Sequence, residues 1–93
     1  MKTNRRIFDV GDKVRSHYAS PWLGIIMNYY IIPDADNKSS HWIYVVLAVI
    51  DKNGQKIRKP FVTSLDGAWL SKSTETFDVP ANLKDYEKLC KCY

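Results

Sequence analysis

Two neighbouring stretches, Phe8-Asp9-Val10-Gly11-Asp12-Lys13-Val14-Arg15 and Trp22-Leu23-Gly24-Ile25-Ile26, decide how this chain is read. A Gly-Asp turn feeds a strand that alternates with period two. Val14, Ser16 and Tyr18 share one face of it, and Lys13, Arg15 and His17 share the other. Ala19-Ser20-Pro21 reads as a loop, and Trp22 to Ile32 as a second, apolar strand that Pro33 stops. Asp34 to Ser40 is a polar loop of turn formers. Trp42 to Ile50 is apolar and β-branched at nearly every position, so it is expected to be the central strand, bent and covered on both faces.

Downstream, Asp51-Lys52-Asn53-Gly54 is the strongest local signal. Asn-Gly supplies the two positive-φ residues of a tight hairpin, so strand four is expected to run antiparallel to strand three from about Gln55. It passes through Ile57 and Phe61, with Pro60 marking an edge or a bulge. Ser64 to Gly67 reads as another turn, and Ala68-Trp69-Leu70 as a short closing strand. From Pro80 to Cys92 the period changes. Leu83, Tyr86, Leu89, Cys90 and Tyr93 recur at helical spacing, with Pro80 in the first turn and Lys91 at the cation-favouring end. The chain is therefore expected to be mainly β, one domain over residues 1–93. Five antiparallel strands would occupy about 8–72, and a C-terminal α-helix over about 80–92 would cap one open end.

At 45% hydrophobic and 13% aromatic residues, the chain has enough apolar surface to fold without metal or disulfide. Fourteen Lys and Arg against ten Asp and Glu give a net charge of +4. The excess lies in residues 1–72, which hold eleven basic and six acidic side chains, whereas 73–93 hold three and four. A positive bias of this size draws polyanions over a Debye length. The N-terminus is basic but has no apolar run of signal-peptide type, and Ile43 to Ile50 is too short to span a bilayer. The expected setting is the cytoplasm, without membrane contact and as a monomer, so Asn37-Lys38-Ser39 is a sequon by letter only. Cys90 and Cys92 are too close together to close a useful loop, and with His17 and His41 they lack zinc-ligand spacing. Reduced thiols, and neither metal nor cofactor, are expected.

Phe8, Gly11, Asp12 and Val14 on the first turn and strand, with Gly24 and Ile25 on the second, resemble the KOW and Tudor group of SH3-like barrels. That group is found in transcription-elongation factors, ribosomal proteins and small phage-encoded regulators. The resemblance covers roughly residues 8–26 and implies a five-stranded SH3-like antiparallel barrel. In it, the glycine of the second strand permits a bend without a clash. It also implies a regulatory binding module rather than an enzyme, located in the host cytoplasm if phage-encoded. The polar insertion at 33–41 and the added helix depart from the family pattern.

The candidate surface for a nucleic acid, DNA or RNA, is the basic stripe Lys13, Arg15 and His17, joined by Lys52, Lys56, Arg58 and Lys59 from the third hairpin. Phosphates require such cations, and Tyr18, His17 and Trp22 among them supply rings for stacking. The competing account is an ordinary solvated face, because strands must put something polar outward and lysine protects edges. A second group, Trp22, Tyr29, Tyr30, Trp42 and Tyr44 with Asp34 or Asp36, matches the aromatic cage that Tudor-like barrels use for methylated Lys or Arg. The competing account there is core packing. Asp34-x-Asp36 fails as a calcium loop, because Ser39 and Val45 stand where glycine and glutamate are required. The chain contains no phosphate loop, nucleophile elbow or zinc-helix motif. Ser16-His17 and Ser40-His41 are adjacent, so neither serine faces its own histidine along a strand. The expected activity is non-enzymatic binding of nucleic acid through backbone contacts. The alternative is a module that docks on a protein such as RNA polymerase or a nuclease, by strand addition or peptide docking.

Overall fold

A computed structural model describes residues 2–3, 6–18, 20–35 and 39–90, with the side chains of Lys2, Thr3 and Ser39 left aside. Asp36, Asn37, Lys38, Lys91, Cys92 and Tyr93 lie outside the described residues. The elements are β1 (Lys2–Thr3), β2 (Lys13–Ser16), β3 (Leu23–Pro33), β4 (Ser39–Ile50), β5 (Lys56–Asp66), a 3-10 turn (Gly67–Trp69), β6 (Leu70–Lys72) and α1 (Leu83–Cys90). Five strands form an antiparallel sheet in the order β6-β2-β3-β4-β5, and β1 adds in parallel to the start of β4. The outer strands β5 and β6 do not pair with each other, so the sheet is not closed. No described helix is long and apolar enough to cross a membrane.

The opening motif is a hydrogen-bonded turn. Asp12 N–H donates to the Asp9 carbonyl at 3.0 Å, with Gly11 at φ 96°, the left-handed third position that a type II turn demands. The Asp12 carboxylate accepts from Asp9 N–H at 2.9 Å. Gly11 N–H then donates to the Ile26 carbonyl at 2.8 Å, which fastens the turn to β3. Gly24 is required for a different reason. A Cβ there would lie 2.6 Å from the Leu47 carbonyl oxygen and 2.9 Å from the Trp22 ring, so only glycine lets β3 approach β4 at this point.

Period-two alternation divides the apolar residues of β4 between two cores. Tyr44, Val46 and Ala48 point into one, with Phe8, Val14, Trp22, Ile26 and Leu70. Leu47 and Val49 point into the other, with Leu23, and are covered by Phe77, Leu83 and Tyr86. The Tyr44 hydroxyl accepts from Ile7 N–H at 3.1 Å, and Phe8 stands edge-on to the Tyr44 ring. The central, two-faced strand is thus as the sequence leads one to expect.

Four local expectations need correction. Around Gly54 the turn is a three-residue loop: Gly54 N–H donates to the Asp51 carbonyl across Lys52 and Asn53, and Asp51 pairs with Gln55. The Asp51 carboxylate accepts from the N–H groups of Asn53 and Gln55, which favours a type I turn closed by a left-handed glycine (φ 79°) over a two-residue Asn-Gly turn. Ser64 to Asp66 continues β5 rather than turning, because Val45, Tyr44 and Ile43 still offer partners. The turn falls at Gly67–Trp69, where Asp66 accepts from Ala68 N–H, and the closing strand is Leu70–Lys72. Finally, α1 covers the second face of the sheet rather than an open end, because Leu23, Leu47 and Val49 need cover there. Leu89 is left exposed, while Leu83 and Tyr86 turn inward and Cys90 is fully buried. Pro60 does fall in a break of register, where residues 57–60 stand against Val49 alone, since Phe61 pairs with Ala48 and Lys56 with Ile50.

Gly24→Ala is expected to cost about 3 kcal/mol or more, since the obstruction is backbone and cannot swing aside, as read from the denaturant midpoint. A loss below about 1 kcal/mol would show that β3 can lift off β4. Burial, and then the Glu87 carboxylate, push the Cys90 thiol above its ordinary value. In a Cys92→Ser variant, maleimide labelling at neutral pH should therefore be slow when folded and fast in denaturant.

Candidate nucleic-acid interface

Lys13 and Arg15 occupy the face of β2 opposite Val14 and Ser16, as alternation requires. That is also the face of the second core. Across the sheet, Arg15 pairs with Leu23, Leu23 with Ile50, and Ile50 with Lys56. Arg15 and Lys56 therefore lie on one transverse row, three strand spacings or roughly 14 Å apart. Of the sequence-predicted cations, Arg15 and Lys56 share this row, whereas Arg58 and Lys59 have no partner on β4.

The same row is crossed by the chain itself. Leaving β6, Ser73 N–H donates to the Lys13 carbonyl at 3.0 Å, and residues 73–80 then strap the sheet from β2 towards β5. Ser73 shapes the strap by accepting from Glu75 N–H at 3.1 Å. Arg15 pairs with Glu75 at 3.1 Å. Lys13 donates to the Phe77 carbonyl at 3.1 Å and lies 5.0 Å from the centroid of its ring. Lys56 sits 3.9 Å from Asp78, both widely exposed. Three of the basic residues that the sequence offers to phosphates are thus already engaged by the strap. Its acidic residues, set in an otherwise basic chain, were the available signal.

The remaining candidates separate into three kinds. His17 is exposed, its Nε2 lying 2.8 Å from the Ser71 hydroxyl. Lys52, Arg58 and Lys59 are exposed on the β4–β5 hairpin and make no ion pair among the described residues. Trp22 is only 8% exposed and belongs to the first core, so its ring is not a free stacking platform. It does contribute to a cleft of about 320 Å³ whose other lining includes Phe61, Ser20, Lys52 and Asn53. Phe61 stands edge-on to Trp22 at 5.7 Å and is half-exposed. Phe61 and Trp69, both half-exposed, lie outside the sequence-predicted site, because the sequence reading places each only within a strand and gives neither a surface role.

The second aromatic group does not converge on a cage. Tyr44 and Trp22 are buried, whereas Tyr29 and Trp42 pack edge-on at 5.6 Å against the first core. Arg6, paired with Asp9, lies 4.3 Å above the Tyr29 ring and 5.9 Å from that of Trp42. Asp34 is 2.6 Å from His41 Nδ1, and Asp66 approaches Nε2 at 3.8 Å. Among the described residues, no three His, Cys, Asp or Glu side chains converge as metal ligands would.

The strap is expected to be held by its apolar residue more than by its charges. Glu75→Gln with Asp78→Asn should lower stability by at most about 1 kcal/mol per pair, because the pairs are exposed. Phe77→Ala should cost about 2 kcal/mol, less than a fully buried ring. Denaturant melts of the two variants check the order, and a larger loss in the charge variant would reverse it. No known protein family, curated protein or solved structure matches the chain.

Proposed function

We propose that this chain is a non-enzymatic, SH3-like nucleic-acid-binding module that meets DNA or RNA mainly through the backbone. The strand order β6-β2-β3-β4-β5, in which the last strand returns to the first of the meander, supports the SH3-like reading, as does the turn at Gly11 and the enforced glycine at 24. The observation that carries the functional reading is the β4–β5 hairpin. Lys52, Arg58 and Lys59 project from it with no ion pair among the described residues, beside a cleft lined by Trp22, Phe61 and Asp51. Phosphates supply a countercharge, and each one neutralised releases counterions. Lys13, Arg15 and Lys56 are secondary contacts, because the strap must yield them first. Such a module would regulate transcription or nucleic-acid processing by occupying a site rather than by reacting at it.

The open outer edge of β5 favours a second reading, a protein-interaction module. Seven of the eleven residues of β5 pair with β4, and none pairs with another described strand, which leaves outer-edge backbone groups free for strand addition. Pro60 and the lysines guard only the first part of that edge.

Replacing Lys52, Arg58 and Lys59 with Ala is expected to weaken oligonucleotide binding. The salt dependence should become shallower by up to about three units of slope, near 0.9 per lost duplex-phosphate contact. Anisotropy titrations at two salt concentrations measure both quantities. Unchanged affinity and slope would remove this surface from the proposal. A protein that purifies free of nucleic acid and retains one stoichiometric protein partner would favour the β5 edge instead.

A further inference from the structure

We propose that Tyr18, Trp69 and Phe61, with Trp22 buried behind Phe61, form a stacking track for the bases of a single-stranded nucleic acid. The proposal rests on the nucleic-acid reading above and specifies its ligand.

Three of these four rings are half-exposed: Tyr18 at 55%, Trp69 at 46% and Phe61 at 45%. Scattered exposed apolar residues are ordinary, but these are paired. Tyr18 stands edge-on to Trp69 at 5.3 Å, and Phe61 edge-on to Trp22 at 5.7 Å. Both pairs are tied to one short connection. Tyr18 precedes Trp22 by four residues, so their Cα atoms are at most roughly 14 Å apart. Ser20, between them, lines the Trp22–Phe61 cleft. A few nucleotides span such a distance.

The backbone that carries Tyr18, Trp22 and Trp69 is held by hydrogen bonds before any ligand arrives. The Trp69 carbonyl accepts from His17 N–H at 2.7 Å, and the 3-10 turn bearing Trp69 is capped by Asp66 through Ala68 N–H at 2.9 Å. Tyr18 N–H donates to the Ser16 hydroxyl at 3.1 Å. Ser16 N–H, in turn, donates to the Trp22 carbonyl at 2.9 Å, which clamps the ends of the connection together. Fixed aromatic faces lose little freedom on binding.

Charge selects the ligand. Asp51 also lines the cleft and accepts from the N–H groups of Asn53 and Gln55, Asp66 accepts from Ala68 N–H, and Glu75 pairs with Arg15. Lys52 at the cleft, with Arg58 and Lys59 on the same hairpin, makes no ion pair among the described residues. Flat apolar faces beside such cations suit a polyanion whose bases are unstacked. A duplex hides those base faces and presents phosphates alone, so it would engage the cations and leave the rings idle.

The test is anisotropy of the full chain with labelled oligothymidylate, oligouridylate and a self-complementary DNA hairpin at one salt concentration. At least one single strand should bind more tightly than the hairpin and quench tryptophan emission. Trp69→Ala and Tyr18→Ala should each weaken that single strand about 5- to 100-fold while leaving the hairpin unchanged. Trp69→Phe should retain most of the affinity. If Trp69→Ala does not fold, Trp69→Phe and the quenching of the unmodified protein decide the matter. Equal binding of single strand and hairpin, weakened by Lys52→Ala and Arg58→Ala but indifferent to Trp69 and Tyr18, overturns the track and leaves the nucleic-acid reading standing. Failure of all three oligonucleotides to bind overturns both, as does Trp69-dependent capture of an acidic peptide in their place.

Discussion

Everything in this domain follows from β4 being apolar on both faces. Tyr44, Val46 and Ala48 on one side and Leu47 and Val49 on the other cannot be satisfied by a single layer. The sheet solves the first side by curling, so that β2, β3, β5 and β6 all contribute to one core together with Phe8. The curl needs β3 to approach β4 more closely than any side chain permits, and Gly24 supplies that approach. The second side is solved by returning the chain over it, first as an irregular strap and then as α1. The helix is fastened where Asn28 donates to the Cys90 carbonyl at 3.2 Å.

This second solution determines the electrostatics. The cations of β2 share a face with Leu23 and Leu47, so whatever covers those leucines must also pass Lys13 and Arg15. The strap brings Glu75, the Phe77 carbonyl and Asp78 to that row and offsets part of the positive field. At the hairpin end, Lys52, Arg58 and Lys59 make no ion pair among the described residues.

The fold was largely legible because its signals are local. Alternation in Lys13–Tyr18, the two-faced run at Trp42–Ile50, the glycine near Asn53 and the helical spacing after Pro80 each rest on residues close in sequence. The candidate site was less legible because it depends on pairings between distant segments. Period two places Lys13 and Arg15 together, but which face the C-terminal segment would choose depends on Leu23, Leu47 and Val49 acting jointly. Trp22 sits where a strand meets a loop, and composition does not distinguish a core ring from a stacking ring there. Register decides it: Gly24 pairs with Ala48 and Phe61 pairs with Ala48 in turn, so Trp22 falls over small residues and sinks inward. Asp51 shifted the hairpin by one residue because its carboxylate competes for backbone N–H groups.

The pairing of β2 with β6 joins Val14 to Lys72. During synthesis the local hairpins β3–β4 and β4–β5 are available early, whereas this pairing waits for most of the strands to emerge, and the leucine face waits longer still for α1. A nascent chain therefore carries a wet apolar surface and an unpaired β2 edge until late. Ribosome-bound chaperones, or the tunnel wall itself, have the most to shield in that interval.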